Sequence, residues 1–192
     1  MSTLSWAFPR GPINLGSKIQ ALPDSSKLPV LDDWQYIHTP GHAPGHISLF
    51  RERDRVLIAG DAFVTAKQES AFSSLTQRKH LSGPPMYFTN DWAAAEESVR
   101  ELAGLQPEIA ATGHGVPMRG EELKQGLKAL AADFKNQALP KHGRYVDDPA
   151  IMDDSGVKYV PPKPFDPVLG ISIFAAAALS TFALLQRVKP RR

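Results

Sequence analysis

Three polar side chains constrain what this chain can fold into, because each of them follows an apolar, strand-like run and sits in a glycine-rich turn. They are His42 in HTPGHAPGH, Asp61 in IAGDAF and His114 in ATGHGVP. The end of a strand holds a side chain rigidly, and adjacent glycines let a ligand approach the backbone. Imidazole and carboxylate groups suit zinc, iron and manganese ions. The pattern therefore favours a sheet whose strand ends carry a metal site.

Each motif taken alone has a plain structural explanation. A histidine in a turn rich in glycine and proline, a single Gly-Asp pair and a single Gly-His-Gly are all more often parts of turns than parts of sites. His42 and His46 are four residues apart, as in a helical zinc pair, but the prolines and glycines around them exclude a helix there. The joint occurrence of the three motifs, each after a strand, is what indicates a site.

Hydrophobic patterning predicts an α/β body. Short apolar runs bounded by turn residues predict strands over residues 17–22, 34–38, 46–50, 55–60 and 108–113. The polar connection RERD is short enough to join the third and fourth of these as a hairpin. Helical spacing of apolar residues predicts helices over residues 89–105 and 121–134. Strands that alternate with helices are typical of α/β proteins.

The stretch between residues 62 and 90 shows no clear period and contains a Gly-Pro-Pro breaker. Such a long connection in a compact domain is often a lid over a site. If it is a lid, its polar residues line the mouth of the cleft: Lys67, Gln68, Arg78 and Tyr87.

The amino-acid composition excludes several kinds of site and partner. The chain contains no cysteine, which excludes disulfides, thiolate zinc ligands and thiol nucleophiles. Its net charge of +2 comes from 22 basic and 20 acidic residues, but four of the basic residues lie in the last six positions. Without those four the balance is 18 basic to 20 acidic, or −2. A slightly acidic body of mixed sign predicts no nucleic-acid partner.

The C-terminal region predicts a membrane anchor. Residues 168–185 are eighteen residues without a charge, close to the length that crosses a hydrocarbon core of about 30 Å. A proline-rich stretch, VPPKPFDP, precedes them and is typical of a stiff spacer, and the basic QRVKPRR follows. The alternative is a buried C-terminal helix that packs on the body, although such a helix rarely lacks a polar face altogether.

The expected localisation is therefore the membrane, with a single pass. The N-terminus has no apolar run of the kind found in a signal peptide, which favours a cytoplasmic body. The basic tail favours a cytoplasmic C-terminus as well, and a single span cannot satisfy both. The predicted organisation is a body over residues 1–145, a linker over 146–167, a transmembrane helix over 168–186 and a basic tail over 187–192.

Three features follow one another along the chain: HTPGHAPGHISLF, the aspartate nineteen residues after His42, and the later ATGHG. Together they resemble the second half of a metallo-β-lactamase-fold hydrolase, over roughly residues 10–140. The resemblance implies an αββα sandwich and a site for two zinc ions, or for iron or manganese. It implies that His42 binds the first metal, that Asp61 bridges both as the catalytic carboxylate, and that His114 binds the second. His38 is not a ligand in the family and is expected to support the turn. His46 occupies a strand position and is expected to be structural too.

The departure from the family pattern is equally informative. The family's main metal motif, His-x-His-x-Asp-His, is missing, and the first histidine of the chain is His38. The resemblance therefore implies only three of the seven family ligands, or two for each metal. A catalytic zinc ion normally has three protein ligands and a water. We expect metal binding to be weak or absent in this chain alone, and one apolar face of the sheet to lack its partner.

Three functions remain compatible with these residues. The first is an N-terminally truncated metal-dependent hydrolase of an unknown small molecule, of the ester, thioester, lactam or phosphodiester class, that is inactive or weakly active by itself. The second is one half of a split hydrolase, completed by a complementary half-domain or by a second copy of the chain. The third is a membrane-anchored binding module without catalysis.

Overall fold

The computed structural model of the chain describes residues 15–66, 79–86, 88–153 and 155–162. The chain divides into two compact units, Met1–Val160 and Pro161–Arg192. The described elements of the first unit are, in chain order, a 3-10 helix (Gly16–Lys18), β1 (Lys27–Leu28), β2 (Leu31–His38), β3 (Ile47–Arg51), β4 (Val56–Gly60), β5 (Val64–Ala66), β6 (Lys79–Ser82), α1 (Trp92–Gly104), β7 (Ile109–Thr112), β8 (Met118–Arg119), α2 (Gly120–Ala132), α3 (Phe134–Gln137), β9 (Ile151–Asp153) and β10 (Gly156–Tyr159).

A six-stranded sheet with the order β1-β2-β3-β4-β7-β8 forms the centre of this unit. β3 pairs antiparallel with both β2 and β4, and β4 pairs parallel with β7. The hairpin predicted around RERD is therefore present as β3–β4. Because β2, β4 and β7 all run in the same direction, their carboxyl ends lie at one edge of the sheet.

One face of the sheet is buried under the helices, and the other is only partly covered. In β4, Leu57 and Ala59 are fully buried, whereas Ile58 between them is 41% exposed. The buried face packs into a single core with apolar residues of α1 and α2, among them Val99, Leu102, Leu123, Leu127 and Leu130. The alternation of buried and exposed residues along β4 follows from the period of two in a strand. The α/β character predicted for the body is confirmed.

Helix α1 forms where the apolar spacing predicts it. Its N-cap is Asp91, whose carboxylate accepts a hydrogen bond from the Ala94 N–H at 2.9 Å. Aspartate is a preferred N-cap residue, because its carboxylate satisfies a backbone N–H that has no partner within the helix. Trp92, Val99 and Leu102 lie on its buried face. The second predicted helix divides into α2 and the short α3, because Asp133 leaves the helical backbone region.

Two of the predicted local structures are different. The strand expected over residues 17–22 is absent, and the 3-10 helix Gly16–Lys18 overlaps its start. The described part of the 62–90 connection contains β5 and β6, which pair antiparallel. All three residues of β5 are buried, so the strand has no alternation for a sequence pattern to detect.

The predicted membrane anchor has to be corrected. No helix in the described ranges is both long and apolar enough to cross a membrane. The two longest, α1 and α2, have 13 residues each, about 20 Å of helix, whereas a span needs roughly 20 residues. The single-pass architecture and the membrane localisation built on it are therefore wrong. The segment 168–186 itself lies outside the described residues.

Candidate metal centre

The three side chains selected from the sequence lie together at one edge of the sheet. Asp61 directly follows β4, His114 follows β7 by two residues, and His42 follows β2 by four residues. The backbone joins two of these turns, because the Gly113 N–H donates to the Gly60 carbonyl at 2.8 Å. The parallel direction of β2, β4 and β7 is the reason why residues far apart in sequence meet here.

The carboxylate of Asp61 lies between the two imidazoles. His42 Nε2 is 3.5 Å from Asp61 Oδ2, and His114 Nε2 is 3.7 Å from Asp61 Oδ1. Each imidazole therefore faces a different oxygen of the same carboxylate. Across the described part of the chain, no group of three or more histidine and acidic side chains is arranged to hold one ion together. The arrangement is two histidine–aspartate pairs that share an aspartate.

The environment of His42 favours a neutral ring with a free Nε2. Its Nδ1 is 3.4 Å from the hydroxyl of Thr89, a buried residue whose hydroxyl already donates to the Pro85 carbonyl. The Thr89 oxygen is thus left to accept from Nδ1–H, which leaves the lone pair on Nε2, toward Asp61. Burial is the main cause that lowers the pKa of His42, and the nearby Asp61 only partly offsets it. A neutral imidazole is the form that binds a metal.

The loop that carries His42 is attached to the start of α1. The Gly41 carbonyl accepts hydrogen bonds from the backbone N–H groups of Asn90 and Asp91, at 3.1 and 3.0 Å. The hydroxyl of Ser98 donates to the Pro40 carbonyl at 2.7 Å. These contacts fix the HTPGH segment against the helix, so the position of His42 depends on the N-terminal turn of α1.

Two other histidines of the same segment, His38 and His46, contact backbone groups near the site. His38 Nε2 is 2.7 Å from the Pro44 carbonyl, which agrees with the expectation that His38 supports the turn. The ring of His46 is 6.1 Å from that of His42 between centroids, and its Nε2 accepts the backbone N–H of Asp61 at 2.9 Å.

The turn of His114 is held by a buried threonine. Thr65 lies in β5 and is fully buried, and its hydroxyl donates to the Val116 carbonyl at 2.7 Å. The Thr65 N–H donates to the His114 carbonyl at 3.1 Å, and the Thr112 hydroxyl donates to the same carbonyl at 2.8 Å. The backbone of His114 is thus fixed, while its side chain remains 49% exposed toward solvent.

The donors present fit a metal ion. Asp61 Oδ1 is buried and has no hydrogen-bond partner among the described residues. The separations of 3.5 and 3.7 Å are longer than ordinary N–H···O hydrogen bonds, which span about 2.7–3.2 Å. They are close to the edge of a zinc coordination tetrahedron, about 3.4 Å for bonds of roughly 2.1 Å. A buried, unpaired carboxylate oxygen is costly unless a cation satisfies it.

The residues that hold these ligands could not be found from the sequence. Thr89 and Thr65 are 47 and 49 residues away from their partners His42 and His114, and no local spacing connects them. The residues proposed to line the mouth of a lid all lie outside the described ranges: Lys67, Gln68, Arg78 and Tyr87.

A sequence model of the metallo-beta-lactamase superfamily matches residues 2–114. The Bacillus subtilis (strain 168) protein YflN, described as a probable metallo-hydrolase, is 51% identical over 131 residues, which are 68% of this chain and 50% of YflN. YqjP of the same strain, also described as a probable metallo-hydrolase, is 28% identical over 46% of this chain and 26% of its own length. The chain thus spans half or less of these curated relatives.

Two solved structures align over similar portions of the chain. The metallo-beta-lactamase family protein TTHA1429 from Thermus thermophilus has 25% identity and a TM-score of 0.42, covering 67% of this chain and 36% of that protein. TTHA1623, solved in a di-iron-bound form, has 22% identity and a TM-score of 0.44, covering 68% of this chain and 54% of that protein.

Proposed function

We propose, from the premise that this chain belongs to the metallo-β-lactamase superfamily of metallo-hydrolases, that it supplies three of the ligands of a metal-dependent hydrolytic site. The observation that carries this proposal is the Asp61 carboxylate between two imidazoles, with one oxygen buried and unpaired. The superfamily binds metal ions, so a cation is the expected occupant of such a site.

In the proposed site, His42 and Asp61 hold one ion and His114 and Asp61 hold a second. When bound, such ions lower the pKa of a bound water to about 7 and polarise the carbonyl or phosphoryl group that is attacked. The chain itself keeps His42 neutral through burial and fixes its Nε2 through the contact with Thr89. Imidazole and carboxylate donors favour zinc but also suit iron and manganese.

We propose further that the remaining ligands come from a complementary half-domain. A catalytic zinc ion normally has three protein ligands, and each pair here supplies two. The partly covered sheet face offers a place for such a partner, since Ile58 in the middle of β4 is 41% exposed and its row continues through Leu49 and Tyr36 on β3 and β2. A second copy of the chain is the alternative partner. It too would have to supply the ligands that each histidine–aspartate pair lacks.

The hydrolytic function is tested with four chromogenic substrates that represent an ester, a thioester, a lactam and a phosphodiester. With zinc, iron or manganese added to the chain alone, we expect at most weak turnover of these substrates, at a rate well below the usual range of about 1–1000 per second. A chelator should abolish this turnover, and so should Asp61→Ala, which removes the shared carboxylate.

The matched control is His142→Ala, since His142 is exposed and lies outside the site. Its turnover should equal that of the wild type. Turnover that persists in Asp61→Ala or in the presence of the chelator would contradict the proposal.

A further inference from the structure

We infer that His46 is a positioning residue that fixes the backbone of Asp61, and with it the carboxylate of the site. The inference rests on the proposed function, because it assigns to His46 the task of holding a proposed metal ligand. The contacts on both sides of the imidazole ring carry it.

The first side of the ring faces Asp61. His46 Nε2 is 2.9 Å from the backbone nitrogen of Asp61, which can only donate. Nε2 is therefore the acceptor, and the hydrogen of the neutral ring is on Nδ1. This contact leaves no lone pair on Nε2 for a metal ion. His46 is thus excluded as a ligand, although it lies next to His42.

The second side of the ring faces Thr39. His46 Nδ1 lies 2.8 Å from the Thr39 hydroxyl oxygen and 3.1 Å from the Thr39 carbonyl oxygen. Since Nδ1 carries the hydrogen, both oxygens accept from it. Both ring nitrogens therefore have partners, and the ring cannot rotate without breaking contacts on both sides.

The contacts continue through buried hydroxyl groups back to β4. The Thr39 and Ser48 hydroxyl oxygens are 3.0 Å apart, and the Ser48 hydroxyl donates to the Ala59 carbonyl at 3.1 Å. Ser48 uses its one hydrogen on Ala59, so it accepts the hydrogen of Thr39. Both residues are fully buried. This series of hydrogen bonds begins at the Asp61 N–H and ends at the carbonyl of Ala59, two residues earlier in the sequence. The series therefore encloses the turn that presents the Asp61 carboxylate.

Gly60 gives this turn its shape. It has a φ of +56°, in the left-handed region, and a Cβ added there would lie 2.5 Å from His46 Nε2. Only glycine combines this backbone conformation with such a close approach. The imidazole therefore packs directly against the peptide that precedes Asp61, as expected of a residue that sets the direction of the carboxylate.

The test compares two amide replacements that differ in reach by one methylene. His46→Asn can still reach Thr39 but is too short to accept from Asp61, whereas His46→Gln can place its oxygen near the position of Nε2. The first readout is hydrogen exchange at the Asp61 amide without metal. We expect exchange at least tenfold faster in His46→Asn and close to the wild-type rate in His46→Gln.

The second readout is the affinity for Zn²⁺. Loss of the groups that orient metal ligands typically weakens metal binding by 10–100-fold, so we expect a loss of that size in His46→Asn and less than about threefold in His46→Gln. The control is His38→Asn. His38 contacts the Pro44 carbonyl of the same loop but has no contact with Asp61, so both readouts should remain near those of the wild type.

Equal behaviour of His46→Asn and His46→Gln, or an equal effect of His38→Asn, would overturn the inference. If His46→Asn does not fold, Ser48→Ala takes its place, and unchanged Asp61 exchange in that variant overturns it. If the wild type binds no Zn²⁺, the proposed function fails, while the exchange experiment still decides the role of His46.

Discussion

Gly41→Ala is expected to destabilise the fold by more than about 3 kcal/mol, the range of a strained backbone combined with an overpacked core. Gly41 has a φ of +128°, and a Cβ there would lie well under 3.0 Å from the backbone of Ala95 in the first turn of α1. Neither backbone can move away, because the Gly41 carbonyl accepts hydrogen bonds from the N-terminus of the same helix. Urea denaturation of the two proteins measures the difference.

Gly45→Ala is the matched control in the same loop. Gly45 has no positive φ, and a Cβ there would meet nothing within 4 Å. We expect its free energy of unfolding to remain within about 1 kcal/mol of the wild type, as for most substitutions at exposed sites. If Gly41→Ala were as stable as Gly45→Ala, the described attachment of the loop to α1 would be incorrect.

Gly113→Ala is expected to weaken Zn²⁺ binding by at least tenfold with little loss of stability. A Cβ at this position would lie well under 3.0 Å from Asp61 Oδ1, the oxygen that faces His114. Gly113 does not have a left-handed backbone, so alanine itself causes no strain there. The added methyl group should turn the carboxylate away, because a side-chain end moves more readily than the backbone does. Isothermal titration with Zn²⁺ measures the affinity.

Gly104→Ala serves as the control for this substitution. Gly104 is the last residue of α1, and a Cβ there would meet nothing within 4 Å. Its Zn²⁺ affinity should equal that of the wild type. Unchanged Zn²⁺ affinity in Gly113→Ala would mean that the oxygen facing His114 takes no part in binding.

The parts of the fold that could be predicted are those with a regular pattern. The apolar spacing of Trp92, Val99 and Leu102 predicted α1, because a helix buries one stripe of its surface. β5 could not be predicted, since its three residues, Val64–Ala66, are all buried and have no period. The membrane helix was wrongly inferred from an uncharged run, because composition alone does not show how a segment packs.

The candidate site was predictable in its ligands but not in its supports. His42, Asp61 and His114 could be selected because each follows a strand in a glycine-rich turn, and the common direction of β2, β4 and β7 brings them together. The contact of His46 with Asp61 could not be foreseen. It joins residues 15 positions apart across a hairpin, and only the paired register brings them into contact.

The central claim is that the Nε2 atoms of His42 and His114 bind metal on either side of Asp61. The most direct measurement is ¹⁵N NMR of the imidazole rings during a titration with Zn²⁺, at protein concentrations high enough for weak binding. We predict that the Nε2 signals of His42 and His114 both change with added Zn²⁺, whereas those of His46 and the exposed His142 do not. Unchanged His42 and His114 signals at the highest Zn²⁺ concentration, or a change confined to other histidines, would contradict it.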